Sequence, residues 1–153
     1  MTDFPETGRL AGIDYGTVRI GVAVSDPGRR VASPYETYAR RGEESDAGYF
    51  RQLVSKENIV GFVVGLPLHA SGEESEKSRE ARVFSDWLST VTKIPVRFHD
   101  ERYTTREATN LLGAARMSKK KRKRRLDMLA AQLLLSAYLE SSRHDIPPGR
   151  LDD

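Results

Sequence analysis

The chain has 153 residues, enough for one domain with a sizeable core. It contains no cysteine, which excludes disulfide frameworks and thiolate metal sites, and its three histidines (His69, His99, His144) are scattered. Zinc is thereby disfavoured, and oxygen-ligated hard cations are the metals the chain can hold. The net charge of +3 is local: without the seven basic residues from Lys119 to Arg125, 18 basic residues face 22 acidic ones, a net of −4. No apolar run is long enough to cross a membrane, and the polar, acidic stretch 1–8 does not read as a secretory signal, so a cytoplasmic location is expected.

Leu10 to Asp14 reads as a short apolar strand that delivers an aspartate, turns on Gly16 and runs into a second strand from Thr17 to Asp26. In that second strand Val18, Ile20, Val22 and Val24 alternate with period two, which predicts one apolar face. Asp14 then ends a central strand, where its carboxylate either opens an Asx-type turn before Gly16 or projects into a cleft. A third strand is predicted from Val31 to Tyr38, with Pro34 giving it an edge position. Ser45 to Lys56 has helical spacing through Tyr49, Phe50, Leu53 and Val54. Ile59 to Leu66 is a continuous apolar strand, as expected when both faces are covered.

After Gly65-Leu66-Pro67-Leu68 and a polar loop at Ser71-Gly72, a helix is predicted from Glu73 to Val91. Its acidic first turn (Glu73, Glu74, Glu76) suits the helix dipole, and Phe84, Trp87, Leu88 and Val91 form its apolar stripe. Pro95 to His99 reads as a short strand. Thr104-x-x-Glu107 is a capping box that opens a helix stopping near Gly113. The last helix is predicted from Ser118 to Ser142, with a stripe of Leu126, Leu129, Ala130, Leu133, Leu134, Ala137 and Tyr138 and with Asp127 at its margin. Pro147-Pro148-Gly149 marks a frayed end, so a single domain over 1–145 and a disordered tail over 146–153 are expected.

Three early strands joined by short turns make an antiparallel meander, whereas the later strands need helical crossovers and run parallel. The expected fold class is α/β, a five-stranded mixed sheet with helices on both faces. Asp14 leaves its strand on the usual ligand side of such a sheet, where His99-Asp100-Glu101-Arg102 also ends. Adjacent residues of a strand face opposite ways, so Val96, Phe98 and Asp100 share one face and Arg97, His99 and Glu101 the other. The apolar set should face the covering helices. Asp127 is either a surface residue or a group leaning into the cleft. Carboxylates gathered at one edge need a cation, and open oxygen sites suit Mg²⁺ or Mn²⁺. The basic run Lys119, Lys120, Lys121, Arg122, Lys123, Arg124, Arg125 fits a solvated helix face or an import signal by composition. Its self-repulsion favours a polyanionic partner, nucleic acid first.

Four motifs occur in order: Gly12-x-Asp14-x-Gly16-x-x-Arg19-x-Gly21-x-Ala23-x-Ser25-Asp26, Gly65-Leu66-Pro67, Asp100-Glu101-Arg102-x-Thr104-Thr105 and Asp127-x-x-Ala130-Ala131. Together they resemble the YqgF/RuvX-like family over most of the chain, from Arg9 to Glu140. The resemblance implies a ribonuclease H-like fold, related to Holliday-junction resolvases. It also implies a metal-dependent nuclease that matures the 5′ end of the small-subunit (16S) ribosomal RNA precursor, with a resolvase-like DNA nuclease as the alternative. It implies Asp14, Glu101 and Asp127 as the catalytic, metal-holding carboxylates, with Asp100 as an alternative or auxiliary ligand, and two ions bridged by Asp14.

Arg19 and Arg102 suit phosphate neutralisation, or else structural ion pairs. The implied partners are precursor rRNA or branched DNA and no membrane, with a homodimer permitted. Two other classes compete. Asp14-Tyr15-Gly16-Thr17 fits the phosphate turn of actin-like and sugar-kinase ATPases, but the turn occurs here without a second copy. A non-catalytic RNA-binding or transcription factor would use the basic run alone. If the run tracks a nucleic-acid backbone, replacing four of its residues with Gln should weaken binding to all sequences about equally. Each lost phosphate contact should flatten the log–log salt dependence of affinity by roughly 0.7 to 0.9. An unchanged slope means that the run faces away from substrate.

Overall fold

The computed structural model describes residues 4–103 and 119–144. Five strands, β1 (Arg9–Asp14), β2 (Arg19–Ser25), β3 (Ala32–Ala39), β4 (Ile59–Leu66) and β5 (Val96–Asp100), form one sheet in the order β3-β2-β1-β4-β5. β1, β2 and β3 pair antiparallel through short turns, whereas β4 joins β1, and β5 joins β4, in parallel. The mixed sheet and the central place of β1 are as expected. β3 lies at the edge, and its register with β2 shifts where Pro34 cannot donate to the ladder. The capping box at Thr104 and Glu107, the helix expected to stop near Gly113 and the tail beyond Asp145 lie outside the described residues.

Alternation along the strands sorts side chains into two cores. Ala11, Ile13, Ile20, Val22, Phe62 and Val64 pack with helices α1 (Glu43–Glu57) and α2 (Glu76–Thr92), through Phe50, Leu53, Phe84 and Leu88. On the opposite face, Leu10, Ala23, Ala32 and Val63 pack against Ala131, Leu134, Leu135 and Leu139 of α3 (Lys119–His144). β2 therefore departs from the one-faced strand read from its sequence. Ile20 and Val22 are buried on one side, but Gly21 and Ala23 are buried on the other. The positions between its valines are small and apolar, so a helix can cover them. Val18 precedes the strand and is 64% exposed.

Local hydrogen bonding moves the start of α2. Ser75 is the cap: its Oγ accepts from the Ser78 N–H (3.0 Å), and the Ser78 Oγ accepts from the Ser75 N–H (2.8 Å). Glu73 and Glu74 thus precede the helix, and Glu74 instead holds Arg82 at 2.8 Å. The Ser75 hydroxyl also donates to the Pro67 carbonyl at 2.5 Å, which ties α2 to the end of β4. At the start of α1 the fully buried Asp46 accepts from the Tyr38 hydroxyl (2.7 Å), Arg40 Nε (3.0 Å) and the Arg41 N–H (3.0 Å). A buried carboxylate with that many donors is a structural anchor.

The buried face of α3 is rotated from the expected stripe. Leu129 and Leu134 are buried as expected, but Ala131, Leu135 and Leu139 complete the face, while Ala130, Leu133 and Ala137 are only half-buried. The sheet dictates this choice. A Cβ on Gly12 would lie 2.8 Å from Leu135 Cβ and 3.0 Å from the Ala131 carbonyl, and one on Gly21 would lie 2.0 Å from the Asp127 carbonyl. The helix backbone sits directly on glycine. Asp127, one turn before Ala131, therefore leads the sheet-facing line instead of flanking it.

Gly21→Ala should destabilise the protein by about 1–3 kcal/mol, since backbone must move to admit the methyl group. Gly48→Ala, mid-helix in α1 with nothing within 4 Å of the added carbon, should stabilise by roughly 0.5–1 kcal/mol. Urea midpoints of the two variants, measured side by side, test the seating; equal midpoints would refute it.

Candidate active site

Asp14 is the last residue of β1, paired with Gly21 of β2, and its side chain lies on the α3 face with Leu10 and Gly12. Glu101 opens a 3₁₀ turn (Glu101–Tyr103) directly after β5. Val96 and Phe98 pack on the α1–α2 core, and Arg97 and His99 face the other way, against the Phe4 and Tyr138 rings. Glu101 continues that second set. It reaches Asp14 across Gly65 of β4, where a Cβ would lie 2.8 Å from Glu101 Oε1. The two carboxyl groups share a hydrogen bond. α3 brings Asp127 over Gly21, so groups from β1, the end of β5 and α3 line one cleft of about 680 Å³.

The cleft is crowded with negative charge. Burial, then the charges of Glu101 and Asp127 and the hydrogen bond from Glu101, push the Asp14 carboxyl up to about 7, while Lys77 pulls the other way. Asp127 is paired with Arg19 Nε at 2.7 Å. Among the described residues, no three carboxylates or histidines stand together in metal-ligand geometry. The hydrogen bond between Asp14 and Glu101 and the guanidinium of Arg19 instead relieve the repulsion. An oxygen-only donor set that draws in a hydrogen bond and an arginine to relieve its own repulsion fits a hard divalent cation.

Asp100 is placed apart from this group. It faces away from the cleft and accepts from Arg102 three ways: from Nη2 (2.5 Å), from Nε (2.9 Å) and from the backbone N–H (2.9 Å). Arg102 holds its carboxyl below the usual carboxylate range, and Arg102 also donates to the Ala70 carbonyl at 3.1 Å, pinning the loop after β4. Arg19 and Arg102 are thus both engaged in ion pairs.

Of the basic run, Lys123 lines the cleft, and Lys119, Lys121, Arg122, Arg124 and Arg125 are exposed on the first turns of α3; the Lys120 side chain lies outside the described residues. The Thr37 hydroxyl donates to the Arg124 carbonyl and ties this end of α3 to the edge strand. Lys77 and Glu80, which line the cleft from α2, were not anticipated from the sequence. The available signal was position: the first turn of a helix that follows the carboxyl end of β4 faces the ligand edge.

Residues 8–141 match the family model RuvX, described as Holliday junction resolvase. The chain belongs to the RuvX family. A protein of Rhodopirellula baltica named "Putative pre-16S rRNA nuclease" is 49% identical, over 92% of this chain and 82% of its own. One of the same name from Koribacter versatilis is 41% identical, over 87% of each. Among solved structures, T. thermophilus RuvC in complex with a Holliday junction substrate matches with a TM-score of 0.56 at 14% identity, over 88% of this chain and 96% of that one. At that identity the likeness is one of fold. It bears out the ribonuclease H-like sheet expected for this RuvX-family chain.

The strain on Asp14 has a measurable sign. Its folded-state pKa of about 7 stands above the ordinary 3.8, so between those values the folded protein keeps a proton that the unfolded chain has lost. Stability in EDTA should then fall as pH rises from about 4 to about 7, by roughly 2–4 kcal/mol. Asp14→Asn should abolish that slope and be the more stable protein at pH 8. Urea midpoints across this range measure it, and parallel curves for the two proteins would remove Asp14 from the charge balance.

Proposed function

We propose that this chain is a divalent-metal-dependent endonuclease that hydrolyses a phosphodiester bond in the precursor of 16S ribosomal RNA, and with that substrate comes a cytoplasmic setting. One observation carries the reading: Asp14, Glu101 and Asp127, from three separate elements, meet in one cleft where Asp14 is held out of its ordinary ionisation range. These three residues would hold Mg²⁺ or Mn²⁺, and the ion when bound supplies an activated water and neutralises charge on the reacting phosphate. Asp100, committed to Arg102, is outside the set. The RNA substrate follows the names of the relatives at 41–49% identity. The family's description as a resolvase favours branched DNA as the second reading.

The chain's own residues have distinct tasks in this reading. Lys77 and Lys123 line the cleft from α2 and α3 and draw a phosphate toward the carboxylates. The exposed cations of the first turns of α3 follow the strand beyond the cut. Arg19 keeps Asp127 oriented until substrate arrives, then turns its planar fork to the phosphate backbone. Among the described residues, no helix is long and apolar enough to cross a membrane. A protein that only bound RNA would gain nothing from crowding carboxylates at the centre of its cleft, where they repel a phosphate backbone.

Cleavage of an end-labelled precursor fragment spanning the mature 5′ end tests the assignment. Glu101→Gln should lower the rate by about two orders of magnitude or more, with partial recovery at raised Mn²⁺. Asp100→Asn should stay within about one order of the wild type, since its role is to orient a turn. A dead Asp100→Asn beside an active Glu101→Gln would shift the site by one residue.

A further inference from the structure

Next to the cleft, sharing Tyr15 and Glu80 with it as walls, lies a second cavity of about 480 Å³. It is lined with aromatic rings. Tyr15 and Phe84 lie with centroids 4.9 Å apart, and Phe84 and Trp87 at 5.5 Å. The Arg40 guanidinium lies 5.7 Å from the Tyr15 centroid and 5.6 Å from that of Phe84. It is fixed there by Asp46 at 3.0 Å, so the wall is braced by the same buried carboxylate that anchors α1. Val83, in the lining, is 70% exposed. Val83 and Val18 of the adjoining cleft are two of the three large hydrophobic side chains that the described residues leave exposed.

The charges around this cavity exclude a phosphate. Glu43, Glu76 and Glu80 face Arg40 and Arg79, so no net positive charge is available to hold an anion. Tilted aromatic rings with both carboxylates and guanidinium groups at the rim suit a flat, uncharged ring that carries hydrogen-bond donors and acceptors on its edges. Tyr15 follows Asp14 in the chain and, with Glu80, lines both the cavity and the cleft, so a ring seated there lies beside the strand that enters the cleft. We propose that this cavity receives a nucleobase of the substrate strand, splayed out of its stack beside the scissile phosphate. The inference rests on the nuclease reading above. Unstacked bases held on aromatic side chains are the usual means by which single-stranded RNA is gripped.

Trp87 is the only tryptophan of the chain, so its emission reports on the cavity directly. Wild-type protein in EDTA at low salt is titrated with a single-stranded RNA dodecamer spanning the mature 16S 5′ end, then with copies carrying one abasic site at each position in turn. The intact dodecamer should quench Trp87. A single abasic position, next to the mapped cut, should lose the quench and bind roughly ten-fold more weakly. Val83→Glu, at an exposed site where folding is not at stake, should weaken the intact dodecamer by a similar factor and leave binding of that one abasic copy unchanged.

A flat abasic scan, or a Val83→Glu loss equal on intact and abasic RNA, overturns the inference. So does quenching by free AMP at concentrations matching the dodecamer, which would make the cavity a free-nucleotide site. Wild-type cleavage of the precursor fragment, run in parallel, separates the two ideas. Cleavage with a flat scan sinks the base site alone. A single-position quench without cleavage supports the cavity and sinks the nuclease reading.

Discussion

The direct seating of α3 on the glycines of β1 and β2 is the contact on which the site depends. Asp14 belongs to the sheet and Asp127 to the layer above it, and a short carboxylate side chain reaches between layers only where the helix backbone comes close. Gly12 and Gly21 close the gap by letting the Ala131 and Asp127 carbonyls rest on the strands. The same contact selects which side of α3 is buried, and so turns Asp127 inward. Gln132 adds a hydrogen bond to the Ala32 carbonyl at 3.0 Å, fixing the helix along the sheet as well as above it.

Close approach has an electrostatic consequence. Three carboxylates brought together in a partly desolvated cleft repel one another, and each obtains relief from what is nearby. Asp14 and Glu101 share a hydrogen bond, Asp127 takes Arg19, and Lys77 opposes the rise in the Asp14 pKa. A site of this kind lowers the stability of the fold, because its like charges are relieved only in part by the neighbouring cations. Gly65 belongs to the same arrangement, because any side chain there would occupy the path of Glu101.

Rigidity around the cleft comes from structural polar groups kept apart from it. Asp46 gathers Tyr38, Arg40 and the Arg41 amide, and through Arg40 it braces Tyr15. Asp100 and Arg102 do the same for the loop after β4. Both pairs hold the walls in place without adding charge to the centre, since each carboxylate is consumed by its own arginine.

Much of this was legible in the sequence because it is local. Period-two alternation placed Ile13 and Asp14 on opposite faces of β1 and set Glu101 on the face opposite Asp100. Strand-to-strand distances along the chain separated the meander from the parallel crossovers, and the continuous apolar run of β4 declared a strand covered on both sides. The buried side of α3, the Arg19–Asp127 pair, the Ser75 cap that leaves Glu73 and Glu74 outside α2, and the aromatic cavity beside the cleft came only with the tertiary structure. Helical periodicity pointed to an apolar line on α3 through Ala130 and Leu133, whereas the buried line runs through Ala131 and Leu135. That rotation was decided by glycines more than 100 residues away, much as Arg19 meets Asp127 across 108 positions. A pattern in sequence reports what one element can bury; what it does bury is settled by the shape of the surface it lands on.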